Sequence, residues 1–136
     1  DKQYNPNQSI NSFQSDNHTE ITLKRNRSGH YVGTGKINNH STVFLLDTGA
    51  TYVAVPERVS QRLGLKKGRA IRISTANGRA TGYQTVINEL KIGPIVLNDI
   101  KAIITPNLEE VLLGMSVLKQ LEFTQRGNEL TIRQYL

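Results

Sequence analysis

Four tight-turn signals divide most of this chain into short segments and restrict it to a fold built from hairpins. They are Asn38-Asn39, Asn77-Gly78, Gly93-Pro94 and Gly127-Asn128, and Asn and Gly tolerate the positive φ angles that tight turns require. Between them lie short apolar stretches, several of which alternate with polar residues, as half-buried strands do. The pattern predicts a mainly β domain with one or two short helices.

The apolar stretches also predict where individual elements lie. The run Val43-Phe44-Leu45-Leu46 is continuous, which is typical of a strand buried on both faces. Pro56 suits the first position of a helix and Gly64 the position after its end, so residues 56–64 are predicted as helix. The other predicted elements are strands at 53–55, 71–73, 83–92 and 95–104, a helix at 114–121 and a terminal hairpin at 123–132.

The length of 136 residues suits one domain. Residues 1–19 are rich in Asn, Gln and Ser and are predicted to form a polar tail or linker, because they carry too little apolar surface to offset their ordering entropy. The folded domain is predicted over residues 20–136. No stretch approaches the roughly 18 consecutive apolar residues of a membrane span. We therefore expect any membrane tether to lie upstream, with the polar segment as its linker.

The residue types that the chain lacks exclude several chemistries. There is no Cys, so disulfides, thiolate zinc sites and thiol nucleophiles are excluded. His18, His30 and His40 are too scattered to form a helical metal site. Phosphate-binding loops and serine-nucleophile elbows are also missing from the sequence. We expect no metal and no cofactor.

The excess of positive charge is concentrated in one stretch. The net charge is +6, and seven basic residues and no acidic one lie between Arg58 and Arg79. Such a surface could attract nucleic acid, anionic lipid or acidic peptides. The basic residues are not interleaved with aromatic ones, as single-strand-binding platforms are. We interpret the stretch as a solvated basic face and expect no specific nucleic-acid partner.

Asp47 is the most unusually placed polar residue, because it follows the apolar run of the predicted strand. A buried carboxylate is costly unless donors receive it. Thr48 offers a hydroxyl, Gly49 allows the backbone to turn so that amides point back at the carboxylate, and Ala50 keeps the turn small. This predicts a preorganised carboxylate, although an Asp that merely caps a turn would satisfy the same pattern.

The wider pattern resembles the retropepsin-like aspartic proteases. The segment from Phe44 to Thr51 is similar to the active-site loop of that family. The Asn77-Gly78 hairpin falls where the family has its flap, and Val111-Leu112-Leu113-Gly114 is similar to the second glycine motif that precedes a short helix. The resemblance covers residues 20–136 and is greatest to the bacterial single-domain members.

The resemblance implies a half-barrel with a flap hairpin and an aspartic endopeptidase that cuts extended polypeptide without a cofactor. It also implies that Thr48 hydrogen-bonds across a two-fold axis and that Gly49 donates to the carboxylates. The implied site consists of the catalytic Asp47, the supporting Thr48, Gly49 and Ala50, the flap and substrate-binding Thr75, Ala76, Asn77 and Gly78, and the second glycine motif Leu112, Leu113 and Gly114.

A single chain supplies only half of a carboxylate pair. Asp-Thr-Gly occurs once, and Asp99 has no Thr-Gly after it. Hydrolysis by this chemistry uses two carboxylates that share one proton. A two-fold symmetric homodimer places the two copies of Asp47 together on the axis, and the resemblance implies the same assembly.

The chain departs from the retroviral pattern after the second glycine. Met115 and Ser116 stand where retroviral members have Arg and then Asn or Asp. A second interpretation is therefore a catalytically weak module that dimerises or binds peptides. Bacterial relatives often carry a membrane segment followed by a polar linker, which implies a periplasmic or cell-envelope location and leaves a cytoplasmic one open.

Overall fold

The described residues of the computed structural model, 4–75 and 78–136, form eleven β-strands and two single-turn helices. In chain order the elements are β1 (Asn11–Gln14), β2 (His18–Lys24), β3 (Val32–Ile37), β4 (His40–Leu46), β5 (Val53–Pro56), α1 (Glu57–Ser60), β6 (Ala70–Thr75), β7 (Gly78–Ile92), β8 (Ile95–Thr105), β9 (Val111–Leu113), α2 (Met115–Leu118), β10 (Glu122–Arg126) and β11 (Glu129–Tyr135). The mainly β fold predicted from the turn signals is confirmed.

Seven strands form a curved sheet that nearly closes on itself, in the order β3-β4-β9-β5-β8-β7-β6. A further pairing joins Lys36 and Ile37 of β3 to Lys91 and Leu90 of β7 and bends the sheet into a barrel. A Cβ on Gly35 would lie 2.7 Å from the Lys91 carbonyl oxygen. The strands can therefore approach this closely only with glycine at that position.

Two parallel pairings in the barrel sheet determine where the site forms. β4 runs parallel to β9, with Leu46 beside Leu113, and β5 runs parallel to β8. Parallel neighbours end at the same edge of a sheet. The residues that follow β4 and β9, Asp47 and Gly114, are therefore brought together.

The remaining four strands form an antiparallel sheet, here called the terminal sheet, in the order β1-β2-β11-β10. Its inner strands contribute to the core, since Ile21, Leu23 and Ile132 are fully buried. Its outer strands are β1 and β10, and every residue of both is exposed. The predicted terminal hairpin of β10 and β11 is confirmed.

The turns that fall on described residues agree with the sequence pattern. Asn38 and Asn39 have φ angles of 49° and 68°, and Gly93 and Gly127 have φ angles of 56° and 60°. These are left-handed conformations that Asn and Gly adopt at low cost. The three hairpins at these turns are therefore specified locally.

The prediction that the apolar run of β4 is buried on both faces is wrong. Phe44 is buried, but Val43 on the opposite face is 38% exposed. Successive side chains of a strand point to opposite faces, and only the face that carries Phe44 packs into the barrel core. The two helices are also shorter than predicted: they end at Ser60 and Leu118, and the chain continues as turns in which Gln61 and Lys119 keep right-handed helical angles.

The N-terminal segment makes more contacts than a polar tail would. The Asn7 side chain is buried and donates to the carbonyl oxygens of Lys24 and Val32, both at 2.8 Å. Its amide oxygen accepts a hydrogen bond from the Lys24 amide at 2.9 Å. Asn7 thus joins β2 to β3 from within the segment predicted as tail. The domain boundary at residue 20 stays a prediction.

Within the described ranges, the two helices are single turns, and no helix reaches the length and apolarity needed to cross a bilayer.

Candidate active site

The loop that follows β4 presents the Asp47 carboxylate in a half-buried position. The Gly49 amide donates to Asp47 Oδ1 at 2.9 Å, so the backbone donor expected from the sequence is present. The Ala50 amide donates to the Asp47 carbonyl oxygen at 3.1 Å, and the Asp47 amide donates to Leu113 O at 3.0 Å. Three backbone hydrogen bonds therefore fix the position of this carboxylate.

Gly114 lies directly against the Asp47 loop. A Cβ at this position would lie 2.4 Å from the Tyr52 carbonyl oxygen and 2.6 Å from that of Ala50. Since real side chains do not approach carbonyl oxygens so closely, only glycine fits without moving the loop. The second glycine motif and the loop are thus in direct contact.

The first amides of α2 complete this contact. The Met115 amide donates to the Ala50 carbonyl oxygen and the Ser116 amide to that of Thr51, both at 2.8 Å. The first amides of a helix have no partner within the helix, and here they bind the loop instead. Backbone groups supply this brace, so it does not depend on the Arg and Asn or Asp of the retroviral pattern.

Thr48 and Gly49 lie at the exposed tip of the loop, whereas Ala50 is half-buried beneath it. Of the second motif, Leu112 is half-buried, and Leu113 and Gly114 are buried. The structure therefore brings together the residues predicted around Asp47 and those of the second glycine motif.

The predicted flap corresponds to the hairpin of β6 and β7, in which Thr75 is paired with Gly78. Gly78 has a φ of 105°, a conformation that favours glycine. The predicted flap residues Ala76 and Asn77 lie outside the described residues. Their predicted contact with substrate stays a prediction.

A cleft of about 610 Å³ begins beside the Asp47 loop. It is lined by residues 50–54, by Ile73 and Ser74 of β6, by residues 105–108 and by Leu112. Its walls are mostly apolar side chains on strands and their connections. Such a cleft suits an extended peptide whose side chains fill apolar pockets.

Tyr52 is a site residue that the sequence pattern did not single out. Its side chain is 43% exposed, and it lines both the cleft and a second groove on its other side. The sequence feature that could have identified Tyr52 is its position soon after Asp-Thr-Gly in a chain with few aromatic residues. Exposure of that ring could not be read from the sequence.

Among the described residues, no group of three or more His, Asp and Glu side chains is arranged to hold a metal ion. The expectation that the chain needs no metal and no cofactor stays a prediction.

Comparison with known proteins agrees with this geometry. A family model described as "gag-polyprotein putative aspartyl protease" matches residues 33–120. An uncharacterised protein from the cobV 5′ region of a Sinorhizobium species is 33% identical over 125 residues, which are 88% of this chain and 54% of that protein. An uncharacterised protein of Rickettsia prowazekii (strain Madrid E) is 32% identical over 119 residues, which are 85% of this chain and 52% of that protein. The chain thus spans about half the length of the curated relatives it matches.

Solved structures support the same assignment. A retropepsin-like aspartic protease from Rickettsia conorii matches with a TM-score of 0.73 and 26% identity, over 93% of this chain and 95% of that one. The EIAV protease, solved with the inhibitor HBY-793, matches with a TM-score of 0.58 and 20% identity, over 71% of this chain and 92% of that one. The chain therefore belongs to the gag-polyprotein aspartyl protease family and has the retropepsin-like fold.

Proposed function

We propose that the chain is an aspartic endopeptidase that hydrolyses peptide bonds in extended polypeptides, with an active site completed by Asp47 of a second copy. The observation that carries this proposal is the Asp47 carboxylate itself, held by the Gly49 amide on a loop with an exposed tip. The cleft that begins at Ala50 supports a peptide substrate.

The proposed chemistry requires two carboxylates with one proton between them. The ionised carboxylate takes a proton from a water molecule as the water oxygen attacks the carbonyl carbon. The protonated carboxyl gives its proton to the carbonyl oxygen, which forms a tetrahedral diol. When the C–N bond breaks, the carboxyl that took the proton from water gives it to the leaving amine, and the other carboxylate takes a proton from a diol hydroxyl, so a carboxylic acid forms and the dyad again holds one proton.

A second copy is the simplest source of the second carboxylate. Asp-Thr-Gly occurs once in the chain, and a two-fold axis brings identical residues together. Thr48 and Gly49 are exposed at the tip of the loop. A partner loop could therefore approach them without rearrangement of the core.

β10 offers an edge through which two copies could pair. It is an outer strand of the terminal sheet and its residues are exposed, including Phe123 at 44%. Gln125 donates to the Tyr31 hydroxyl at 3.1 Å, and the Tyr31 carbonyl oxygen accepts from the Leu46 amide at 3.0 Å. These contacts connect β10 to β4, the strand that precedes Asp47.

The sequence of β10 is compatible with antiparallel pairing to its own copy. A pairing centred on Thr124 sets Glu122 of each copy opposite Arg126 of the other. It also places both Phe123 side chains on one face of the combined sheet. Opposite charges across strands are favourable, and burial of exposed aromatic rings is a main source of interface stability.

The test of the proposal mixes wild-type chain with the Asp47→Asn variant. The variant alone should cleave at least about 1,000-fold more slowly, since it lacks the ionisable dyad. With the variant in tenfold excess, the activity should fall to about a tenth of that of the same amount of wild-type chain alone. The reason is that most wild-type subunits then pair with inactive ones. Independent monomers would keep their full activity.

Asp99→Asn is the matched control. Asp99 is exposed, has a φ of 54° that Asn also tolerates, and follows no apolar run. This variant should cleave normally and should not inhibit the wild type when mixed with it. If Asp47→Asn cleaved at the wild-type rate, the assignment would be wrong.

Activity should also rise as the pH falls below neutral, because the dyad must hold one proton. The assay is cleavage of a denatured protein across a pH series, with sedimentation of the same samples. An optimum only at alkaline pH would contradict the shared-proton mechanism.

The other function considered from the sequence is a module that dimerises or binds peptides with little turnover. A stable dimer that held peptides without cleaving them at any pH would support it. The predicted cell-envelope location and membrane tether rest on the family resemblance, and fractionation of cells that express the full-length protein would test both.

A further inference from the structure

A second groove on the described surface lies outside the predicted active site. It has a volume of about 710 Å³ and is bounded on one side by residues 64–69. Its floor is the outward face of the β7–β8 ribbon, where Val86 is paired with Lys101 and Gln84 with Ile103. We call it the basic groove because four basic residues line it, namely Lys66, Lys67, Arg69 and Lys101.

The wall of the basic groove is held in place by the backbone. The Gly68 amide donates to the Gln84 carbonyl oxygen at 2.7 Å, and the Gln84 amide donates to the Arg69 carbonyl oxygen at 2.9 Å. A Cβ on Gly68 would lie 2.7 Å from the Gln84 carbonyl oxygen, so this contact requires glycine. The groove is thus preformed between two fixed elements.

The groove has basic side chains on its rim and no carboxylate among its described lining residues. Lys67 is already compensated, since its ammonium lies 2.5 Å from a Glu57 carboxylate oxygen and 4.7 Å from the centre of the Tyr83 ring. The hydrogen bond to Glu57 raises the pKa of Lys67 above its usual value.

Three further cations line the groove without such compensation. Lys66, Arg69 and Lys101 are exposed, and the described part of the chain gives none of them an ion pair. A concave surface lined by charges of one sign concentrates ligands of the opposite sign. The groove therefore favours an anionic ligand.

The floor distinguishes a peptide from a small anion. Val86 is 49% exposed there, and Ile103 and Ile71 are half-buried beside it. An apolar floor below a basic rim suits a chain with both apolar and carboxylate side chains. Among the described residues that line the groove, Tyr52 is the single aromatic ring on which a nucleic-acid base could stack.

The basic groove adjoins the cleft beside Asp47. Tyr52 and Ile103 line both. On β6, Ile71 lines the groove and Ile73 lines the cleft, and residues two apart on a strand share a face. A polypeptide extended in the cleft can therefore continue past Tyr52 into the basic groove.

We propose that the basic groove binds an acidic segment of the same polypeptide whose cleavage takes place beside Asp47. The inference rests on the proposed function and adds a substrate class to it: polypeptides with Asp or Glu residues on one flank of the cut bond.

The binding test uses fluorescein-labelled hexaglutamate and its hexaglutamine counterpart. Hexaglutamate should bind the wild-type chain, with an affinity that falls as salt increases, and hexaglutamine should not. The double variant Lys66→Glu/Lys101→Glu should weaken hexaglutamate binding by at least about tenfold. Lys36→Glu is the control, since Lys36 is exposed on β3 and does not line the groove.

A milder pair, Lys66→Gln/Lys101→Gln, removes the charges with less effect on folding, and it should weaken binding in the same direction. Equal loss in the Lys36→Glu control would overturn the proposal, because it would show a general effect of net charge. Binding of an oligothymidylate or of phosphatidylglycerol vesicles with the same dependence on Lys66 and Lys101 would also overturn it, in favour of a nucleic acid or a membrane.

The cleavage test compares the cut sites of wild type and of the double variants in a library of peptides of mixed sequence. Wild type should prefer acidic residues on one flank, and the variants should lose that preference while they cut the same bonds. Cleavage with no flank preference would overturn the inference and leave the proposed function intact. Hexaglutamate binding without any cleavage would overturn the proposed function and the substrate class together, and would leave only an acidic-peptide site in the groove.

Discussion

The Asp47 loop and the terminal sheet are held together in different ways. The loop is fixed by backbone amides, which donate from Gly49 to the Asp47 carboxylate and from the first turn of α2 to the carbonyl oxygens of Ala50 and Thr51. The terminal sheet is tied across its strands by charged side chains. Arg133 lies 2.9 Å from Glu20 and 3.4 Å from Glu122.

The two regions should therefore tolerate different substitutions. Backbone bonds survive most side-chain changes, so the loop should be sensitive only where a side chain must be absent or must react. The cross-strand ion pairs of the terminal sheet are made by ionisable groups, so these pairs should respond to pH and salt, whereas the backbone pairing of its strands should not.

Gly114→Ala should have the largest effect. The added methyl would collide with the carbonyl oxygens of Ala50 and Tyr52, so the loop must move. We expect a loss of about 2 kcal/mol or more of unfolding free energy and a fall in cleavage rate of about 100-fold, measured by denaturant titration and peptide assay.

Gly127→Ala is the control for that experiment. Gly127 has a φ of 60° and open space around its Cα. The substitution should lower the free energy of unfolding by about 1 kcal/mol through backbone strain. It should leave the cleavage rate per folded dimer unchanged. Equal losses of activity in the two variants would show that cleavage does not depend on the presence of glycine at position 114.

Phe123→Glu should weaken the dimer at the β10 edge. The change replaces two aromatic rings of the proposed interface by like charges, so sedimentation should show a dissociation constant raised by at least about tenfold. Phe13→Glu is the control on the opposite edge strand, where Phe13 is 57% exposed. A dimer weakened only by Phe13→Glu would place the interface on β1 instead.

Glu122→Gln should change the titration of Tyr135. The Tyr135 hydroxyl donates to Glu122 at 3.0 Å, and this hydrogen bond raises the pKa of Tyr135 above its ordinary value. The neutral phenol therefore contributes stability at and below the ordinary pKa of tyrosine, and that contribution is lost as the pH rises through the raised pKa.

Loss of the Glu122 charge should bring the pKa of Tyr135 back toward the usual range. The measurement is the ultraviolet absorbance of tyrosinate, taken as the difference from a matched Tyr135→Phe chain. A titration curve unaffected by Glu122→Gln would show that the contact does not persist in solution.

Ser116→Ala should have the smallest effect. The Ser116 hydroxyl is buried and has no hydrogen-bond partner among the described residues, whereas its amide holds the loop through Thr51. Removal of an unpaired hydroxyl should be neutral or should stabilise the chain by up to about 1 kcal/mol. A marked loss of stability in thermal unfolding would mean that the hydroxyl has a partner in solution.

Local sequence patterns predicted the hairpins and the Asp47 loop. The φ angles of Asn38, Asn39, Gly93 and Gly127 are properties of single residues, so their turns could be read directly. The carboxylate of Asp47 and the Gly49 amide that meets it are two residues apart. Short-range chemistry of this kind is visible in a sequence.

Long-range contacts could not be predicted in the same way. The buried Asn7 side chain bridges strands that lie 17 and 25 residues further along, and no local pattern marks it as more than a polar residue in a polar segment. The exposure of Val43 depends on what covers β4 in the folded chain. The meeting of the cleft and the basic groove at Tyr52 likewise arises only when distant strands pair.

The contact between Gly114 and the Asp47 loop determines how late in synthesis the site can form. The long-range groups that brace the loop come from Leu113, Met115 and Ser116, far along the chain from Asp47. During synthesis, a nascent chain that ends before them lacks every one of these braces. The carboxylate can therefore be set in place only once most of the barrel has been made, which delays the assembly of a cutting site until the chain that bears it is almost fully folded.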